Sequence, residues 1–163
     1  MLTFEQFLCT TAEKGRLINI LFEEHFFALD VDIMIHRSDL ARVKEVAGRH
    51  GFIFRHSAGP DMLLPHGETK AKNAIHLVFS GEKTAPAQAL PNPPLRPQYI
   101  SVHGMEIAVI PVLDLVRMKL SNNRDIDRVH IRDLDSVGLI TPQIEQSLPP
   151  VLLSRLREIR SKE

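Results

Sequence analysis

The stretch Asp30-Val31-Asp32-Ile33-Met34-Ile35 decides how this chain is read, because it sets two carboxylates two residues apart within an otherwise apolar run. Side chains of a strand alternate between faces, so Asp30, Asp32 and Met34 fall on one side and Val31, Ile33 and Ile35 on the other. Along one face the two acids stand roughly 6–7 Å apart. Like charges at that separation repel and resist burial unless a cation or hydrogen-bond donors offset them. A divalent metal meets the need, and hard oxygen ligands of this kind suit Mg²⁺ or Mn²⁺, the usual partners of nucleotide phosphates. A strand end carrying two solvated acids shows the same pattern, so the surrounding sequence has to separate the two readings.

Downstream of the strand, Ser38 is a suitable N-cap for a helix running to His50. Leu40, Val43, Val46 and Ala47 lie on its inner face, and Gly51 stops it. Residues 52–56 are aromatic and β-branched and predict a strand, completing a strand-helix-strand unit before the Gly59-Pro60 turn. Residues 61–65 read as a short strand. Residues 74–79, Ala-Ile-His-Leu-Val-Phe, predict one central in a sheet, because the run is apolar on both faces apart from His76. Pro86, Pro91, Pro93, Pro94 and Pro97 lack backbone donors and predict an extended surface connection over 85–97. Residues 99–102 and 105–110 then form a hairpin through His103-Gly104. The remainder reads as helical: from Pro111 to about Leu120, from Asp125 to Ser136, and from starts at Thr141-Pro142 and Pro149-Pro150. Upstream, Thr3 and Gln6 resemble a capping box for a helix over 3–14, and 17–29 fits a buried helix better than a strand.

At 163 residues the chain predicts a single domain, 1–163, with 111–163 as its C-terminal helical part. No apolar run reaches about 18 residues, so a membrane is not an expected partner. Met1-Leu2-Thr3-Phe4-Glu5-Gln6 has no basic region before an apolar block, which predicts a cytoplasmic location. The lone Cys9 can form neither an internal disulfide nor a cysteine-based zinc site. Twenty basic and twenty acidic residues cancel, so a nucleic acid would have to be held by a local patch rather than a global field. The remaining histidines show no His-Glu-x-x-His pairing. A nucleophile elbow and a Gly-x-x-x-x-Gly-Lys loop are both missing, leaving acyl-transfer and P-loop chemistry unsupported.

The Asp30-Val31-Asp32 strand, the helix after it, the strand through Ile75 to Phe79, the hairpin, and then Val116-Arg117-Met118-Lys119-Leu120 with Arg124-Asp125-Ile126-Asp127 and His130-Ile131-Arg132-Asp133-Leu134 follow one another in an order that resembles the nucleotidyltransferase-fold superfamily. More narrowly, the chain is similar to small bacterial nucleotidyltransferase-like proteins related to the minimal nucleotidyltransferases and to abortive-infection toxin nucleotidyltransferases. The resemblance covers roughly residues 30–150. It implies an α/β (α+β) architecture: a mixed β-sheet with flanking helices, a C-terminal helical segment, and an active site at one sheet edge.

In such enzymes two strand acids and a third carboxylate from a neighbouring strand hold two Mg²⁺ ions, one activating the acceptor hydroxyl and one steadying the triphosphate. Carried onto this chain, Asp30 and Asp32 take the first two places as catalytic metal ligands and the third falls at His76. Imidazole suits transition metals better than Mg²⁺ and adds no negative charge. A hydrogen-bonded strand histidine is the simpler account of His76. The family's Gly-Gly or Gly-Ser phosphate cradle falls near Gly15 and Arg16, where one glycine stands instead of the motif; helix termination explains Lys14-Gly15-Arg16 as well. Lys119 takes the role of phosphate contact, with its apolar neighbours docking the helix and its ammonium free to reach a cleft. Asp127, eight residues on, aligns with the family's acid as a nucleotide-binding residue; a solvated Arg/Asp ladder over 124–135 is the competing account.

The function implied is transfer of a nucleoside monophosphate from an NTP to a hydroxyl on an unidentified acceptor, an RNA or a protein, with Mg²⁺ or Mn²⁺. Two other readings remain. One is a non-catalytic binding or regulatory module on the same fold, with a protein partner as in toxin-antitoxin pairs. The other is a metal-dependent phosphodiester hydrolase using Asp30, Asp32 and His76.

Overall fold

The computed structural model describes residues 31–56, 61–70, 74–102 and 105–161. The helices expected over 3–14 and 17–29, with Gly15, Arg16 and Asp30, lie outside them. The described chain is a mixture of helix and strand, with one four-stranded mixed sheet, one two-stranded sheet and five α-helices. It divides into two compact units, 31–80 with Leu95–Ile110 and Gly81–Pro94 with Pro111 onward.

In the first unit, β1 (Val31–Ile35) leads through a 3₁₀ turn, Arg37–Asp39, into α1 (Leu40–Arg49). The helix is therefore entered one residue later than a Ser38 cap would place it: Asp39 stands at the N-cap and closes no side-chain cap bond. At its other end Gly51 adopts φ 81°, a left-handed turn that glycine takes without a Cβ clash. Strands β2 (Phe52–Arg55), β3 (Asp61–Pro65) and β4 (Ile75–Phe79) complete a sheet ordered β1-β4-β3-β2. β4 is thus central, parallel to β1 and antiparallel to β3.

Alternation along these strands sorts the side chains. Ile33, Ile35, Leu63, Ile75, Leu77 and Phe79 share one face and pack with Val43 and Ala47 of α1 into a buried cluster. The opposite face carries Asp32 and His76, bordered by the buried Met34, Met62 and Leu64. A hairpin of β5 (Gln98–Val102) and β6 (Met105–Val109) also belongs to this unit.

The second unit is helical: α2 (Val112–Asn122), α3 (Asp125–Ser136), a short α4 (Pro142–Gln146) and α5 (Pro150–Arg160). Thr141 caps α4 by accepting from the Ile144 backbone, and prolines open α4 and α5, where a missing N–H costs nothing. Val116, Leu120, Ile131, Leu152 and Leu156 form its core. The proline-rich segment is less of a surface connection than its composition predicts. Gln88 and Asn92 are buried and bonded to each other (2.9 Å), Thr84 joins both, and Ser121 Oγ accepts from Leu90 N and donates to Leu90 O. Amides placed four residues apart give prolines a fixed course that composition alone does not reveal.

Arg160, near the end of α5, donates through Nε and Nη2 to Asp135 of α3 (2.7 and 2.8 Å) and pairs through Nη1 with Glu145 of α4 (2.7 Å). These hydrogen bonds hold the Asp135 carboxyl below its ordinary pKa against the opposing effect of burial. A carboxylate with a depressed folded-state pKa contributes stability above its unfolded value and loses it as pH falls through the folded value. Arg160→Ala is therefore expected to cost about 1 kcal/mol at pH 7. In urea melts between pH 2 and 7 the gap to wild type narrows below about pH 4. A gap constant across that range would show that the clamp is not ionic.

Candidate metal and nucleotide site

The register of β1 against β4 sets Asp32 opposite His76, so the two side chains share a face and stand as neighbours. His76 Nδ1 lies 3.5 Å from Asp32 Oδ1, with the imidazole 21% and the carboxylate 47% exposed. The pair is accessible from solvent at one side and rooted in the sheet at the other. Met62 is the register partner of His76 on β3, so the position across the sheet is apolar.

The most buried acid among the described residues of the first unit, Asp61, sits beside this pair in the sheet but on the opposite face. Its register partner is Leu77, which places it on the α1 side. There it accepts from Arg37 Nη1 (3.2 Å) and pairs with His56 Nδ1, while the Arg37 guanidinium lies over the Phe79 ring at 3.3 Å from the centroid. A guanidinium and an imidazole nitrogen compensate one buried carboxylate, a structural arrangement. The sequence gives no sign of it, because the partners lie on three separate elements.

A metal must therefore be judged against a sparse donor set. Among the described residues no group of three His, Cys, Asp or Glu side chains could hold a metal ion. One carboxylate oxygen and one imidazole nitrogen do not make the all-oxygen, strongly anionic cage that two Mg²⁺ ions require. They do fit as two adjacent ligands of a single ion that tolerates nitrogen.

The second candidate centre belongs to the helical unit and stands by itself. Asp127 is completely buried, at 0% exposure, one turn into α3. It accepts from the Arg124 backbone N (3.2 Å), Arg124 Nε (2.7 Å) and Arg124 Nη2 (3.1 Å), so the carboxylate takes up the N-cap residue's N–H and pairs with its guanidinium. Lys119 Nζ on α2 lies 3.7 Å from its Oδ1 and 2.8 Å from His130 Nδ1. An ammonium can only donate, so His130 Nδ1 accepts and the ring proton sits on Nε2.

Two expectations change here. The Lys119 ammonium, expected to be free, is 15% exposed and engaged by His130 and Asp127. Asp127 is no member of a solvated ladder; it is sealed, with both oxygens committed to cations. Sequence reasoning missed Arg124 and His130 as parts of this centre. The Arg-x-x-Asp spacing of an i, i+3 ion pair at a helix start, and His130 three residues after Asp127 on the same helical side, are the signals that could have found them.

No family model matches the chain, and no curated protein matches it. In backbone shape it is similar to the solution structure of the antibiotic-resistance factor ANT(2'')-Ia, at 8% identity and a TM-score of 0.45, covering 96% of this chain and 80% of that one. A likeness of that size carries no argument about what this chain does. No helix among the described residues is long and apolar enough to cross a membrane.

Proposed function

We propose that this chain is a nucleotidyltransferase-type protein, moving a nucleoside monophosphate from an NTP to a hydroxyl acceptor, with Asp30, Asp32 and His76 at a divalent-metal site. The observation that carries the reading is the pairing of Asp32 with His76 across parallel strands, half open to solvent, beside the Asp30-Val31-Asp32 spacing of the sequence. A bound divalent ion there would offset triphosphate charge and lower the proton affinity of an attacking hydroxyl. The described part of the chain presents one carboxylate from β1 and one imidazole from the neighbouring β4, with a packed layer on the opposite face of the sheet.

Lys119 enters as the phosphate contact that the sequence resemblance implies, and Gly15 and Arg16 as further nucleotide contacts on the same ground. For Lys119 to bind a phosphate oxygen it must share or leave His130, an exchange its three donors permit. Asp127 then acts as a positioning residue, holding Lys119 and Arg124 against each other's charge.

The deciding experiment incubates the purified protein with each labelled NTP, Mg²⁺ or Mn²⁺, and total RNA or protein, beside the Asp30→Ala/Asp32→Ala variant. Metal-dependent label transfer that the variant lacks is the expected result. Label transfer that survives in the variant, or none from any NTP with either metal, contradicts the proposal.

A further inference from the structure

We infer that the outer face of α3 is a self-association surface, on which a second copy of this chain docks antiparallel about Val129. One side of α3 is packed into the helical unit, where Asp127 and Ile131 are 0% and 1% exposed. Its other side carries Ile126 at 52% and Val129 at 43% exposure, with Asp125 and Asp133 exposed beside them and Arg132 half-buried. At about 100° per residue, these five positions fall within roughly 120° of helix surface, with Val129 at the centre. Apolar residues along the middle and charges along the borders are the layout of a helix-helix seam, whereas a solvated face is polar throughout.

Charge identifies the occupant. Other ionic side chains of this segment are used within their own unit: Arg124 binds Asp127, Arg128 donates to Asn123, and Asp135 is held by Arg160. No ion pair among the described residues engages Asp125 or Arg132. Seven residues, or about 10.5 Å of helix, separate the two. They cannot pair with each other, because partners on one helix stand three or four residues apart.

A second α3 laid antiparallel across the first satisfies both. Under a two-fold axis through Val129, Asp125 lies four residues before the axis and Arg132 three after it, so the partner's Arg132 arrives within about 1.5 Å of the level of Asp125. Both residues border the same flank of the stripe, and like flanks meet in an antiparallel helix pair. Two reciprocal Asp125–Arg132 bridges thus close around an apolar centre made by Ile126 and Val129 of each copy. Twenty basic and twenty acidic residues leave no net charge to hold two copies apart. One helix seam buries less than the about 1,200 Å² of a stable interface, so the association depends on concentration and weakens with salt.

The test is sedimentation equilibrium of the full chain over a wide range of concentration, with circular dichroism to confirm folding. Wild type is compared with Val129→Asp, Asp125→Arg, Arg132→Asp and the swapped double variant Asp125→Arg/Arg132→Asp. Wild type is expected to pass from monomer to dimer as concentration rises, and each single variant to bind itself at least about 10-fold more weakly. The double variant, in which the bridge is reversed but intact, should recover the dimer. Asp125→Arg brings two arginines to the seam and Arg132→Asp two aspartates, so an equimolar mixture of these variants should dimerise where neither does alone. A wild type that stays monomeric at every concentration would overturn the inference. So would a dimer that both charge reversals leave intact, or one they separate without recovery in the double variant and the mixture.

Discussion

Asp127→Ala is expected to cost about 3 kcal/mol of folding stability, the largest loss among the polar residues described. The carboxylate is fully buried within the helical unit, close in sequence to the core residue Ile131, and satisfies four donor groups on two residues. Removing it takes the anion from beside the Lys119 ammonium, which at 15% exposure keeps only the neutral-acceptor contact to His130, and opens the first turn of α3. The Arg124 side chain is different: at 67% exposure it can swing into solvent, so Arg124→Ala should cost about 1 kcal/mol. Urea denaturation of both variants checks the contrast. Equal losses, both under about 1 kcal/mol, would show that the centre is a surface ion pair and that Asp127 holds nothing in place.

Asp32→Ala is expected to abolish label transfer, by about 10³-fold or more, while leaving the unliganded fold within about 0.5 kcal/mol of wild type. The two halves of that expectation come from different facts. Chemistry suffers because Asp32 supplies the anionic member of the proposed metal pair. Stability does not, because a carboxylate that is 47% exposed at a strand face is already largely hydrated. Thermal melts with and without metal separate the transferase from the binding module on the same fold. In a transferase, added Mn²⁺ raises the melting temperature of wild type and not of the variant. In a metal-free module, Asp30→Ala/Asp32→Ala is as stable as wild type or more so, through relief of like-charge repulsion, and metal shifts neither.

Much of the fold was legible because period and punctuation agree. The apolar alternation of 31–35 and 74–79 gave two strands, Gly51 and the Pro111, Pro142 and Pro150 positions gave helix ends, and the β5–β6 hairpin followed from two β-rich runs about His103-Gly104. The central position of β4 was readable from its mostly apolar run, since both faces need cover. The entry to α1 was not, because Ser38 is as good a cap by composition as Asp39 and the 3₁₀ turn is set by local backbone bonds such as Asp39 N to His36 O.

The candidate site was legible only where one strand carries it. The Asp-x-Asp spacing announces itself, but the face shared by Asp32 and His76 depends on strand register, and a one-residue slip would have set them on opposite sides. Of the second centre the sequence marked Lys119 and Asp127, but neither Arg124 and His130 as their partners nor the burial of Asp127. Asp127 looks like one rung of a solvated Arg/Asp ladder over 124–135 until helix packing closes over it. Asp61 was invisible for the same reason, its partners coming from residues 24 and 5 positions away.

Isothermal calorimetry, titrating Mn²⁺ and then a non-hydrolysable NTP analogue into wild type and Asp32→Ala, puts the sheet-face site to the plainest test. Saturable heat in wild type for the metal, a second for the nucleotide that requires the metal, and neither in Asp32→Ala are what the account predicts. Identical heats in the two proteins, or none in either, would contradict it.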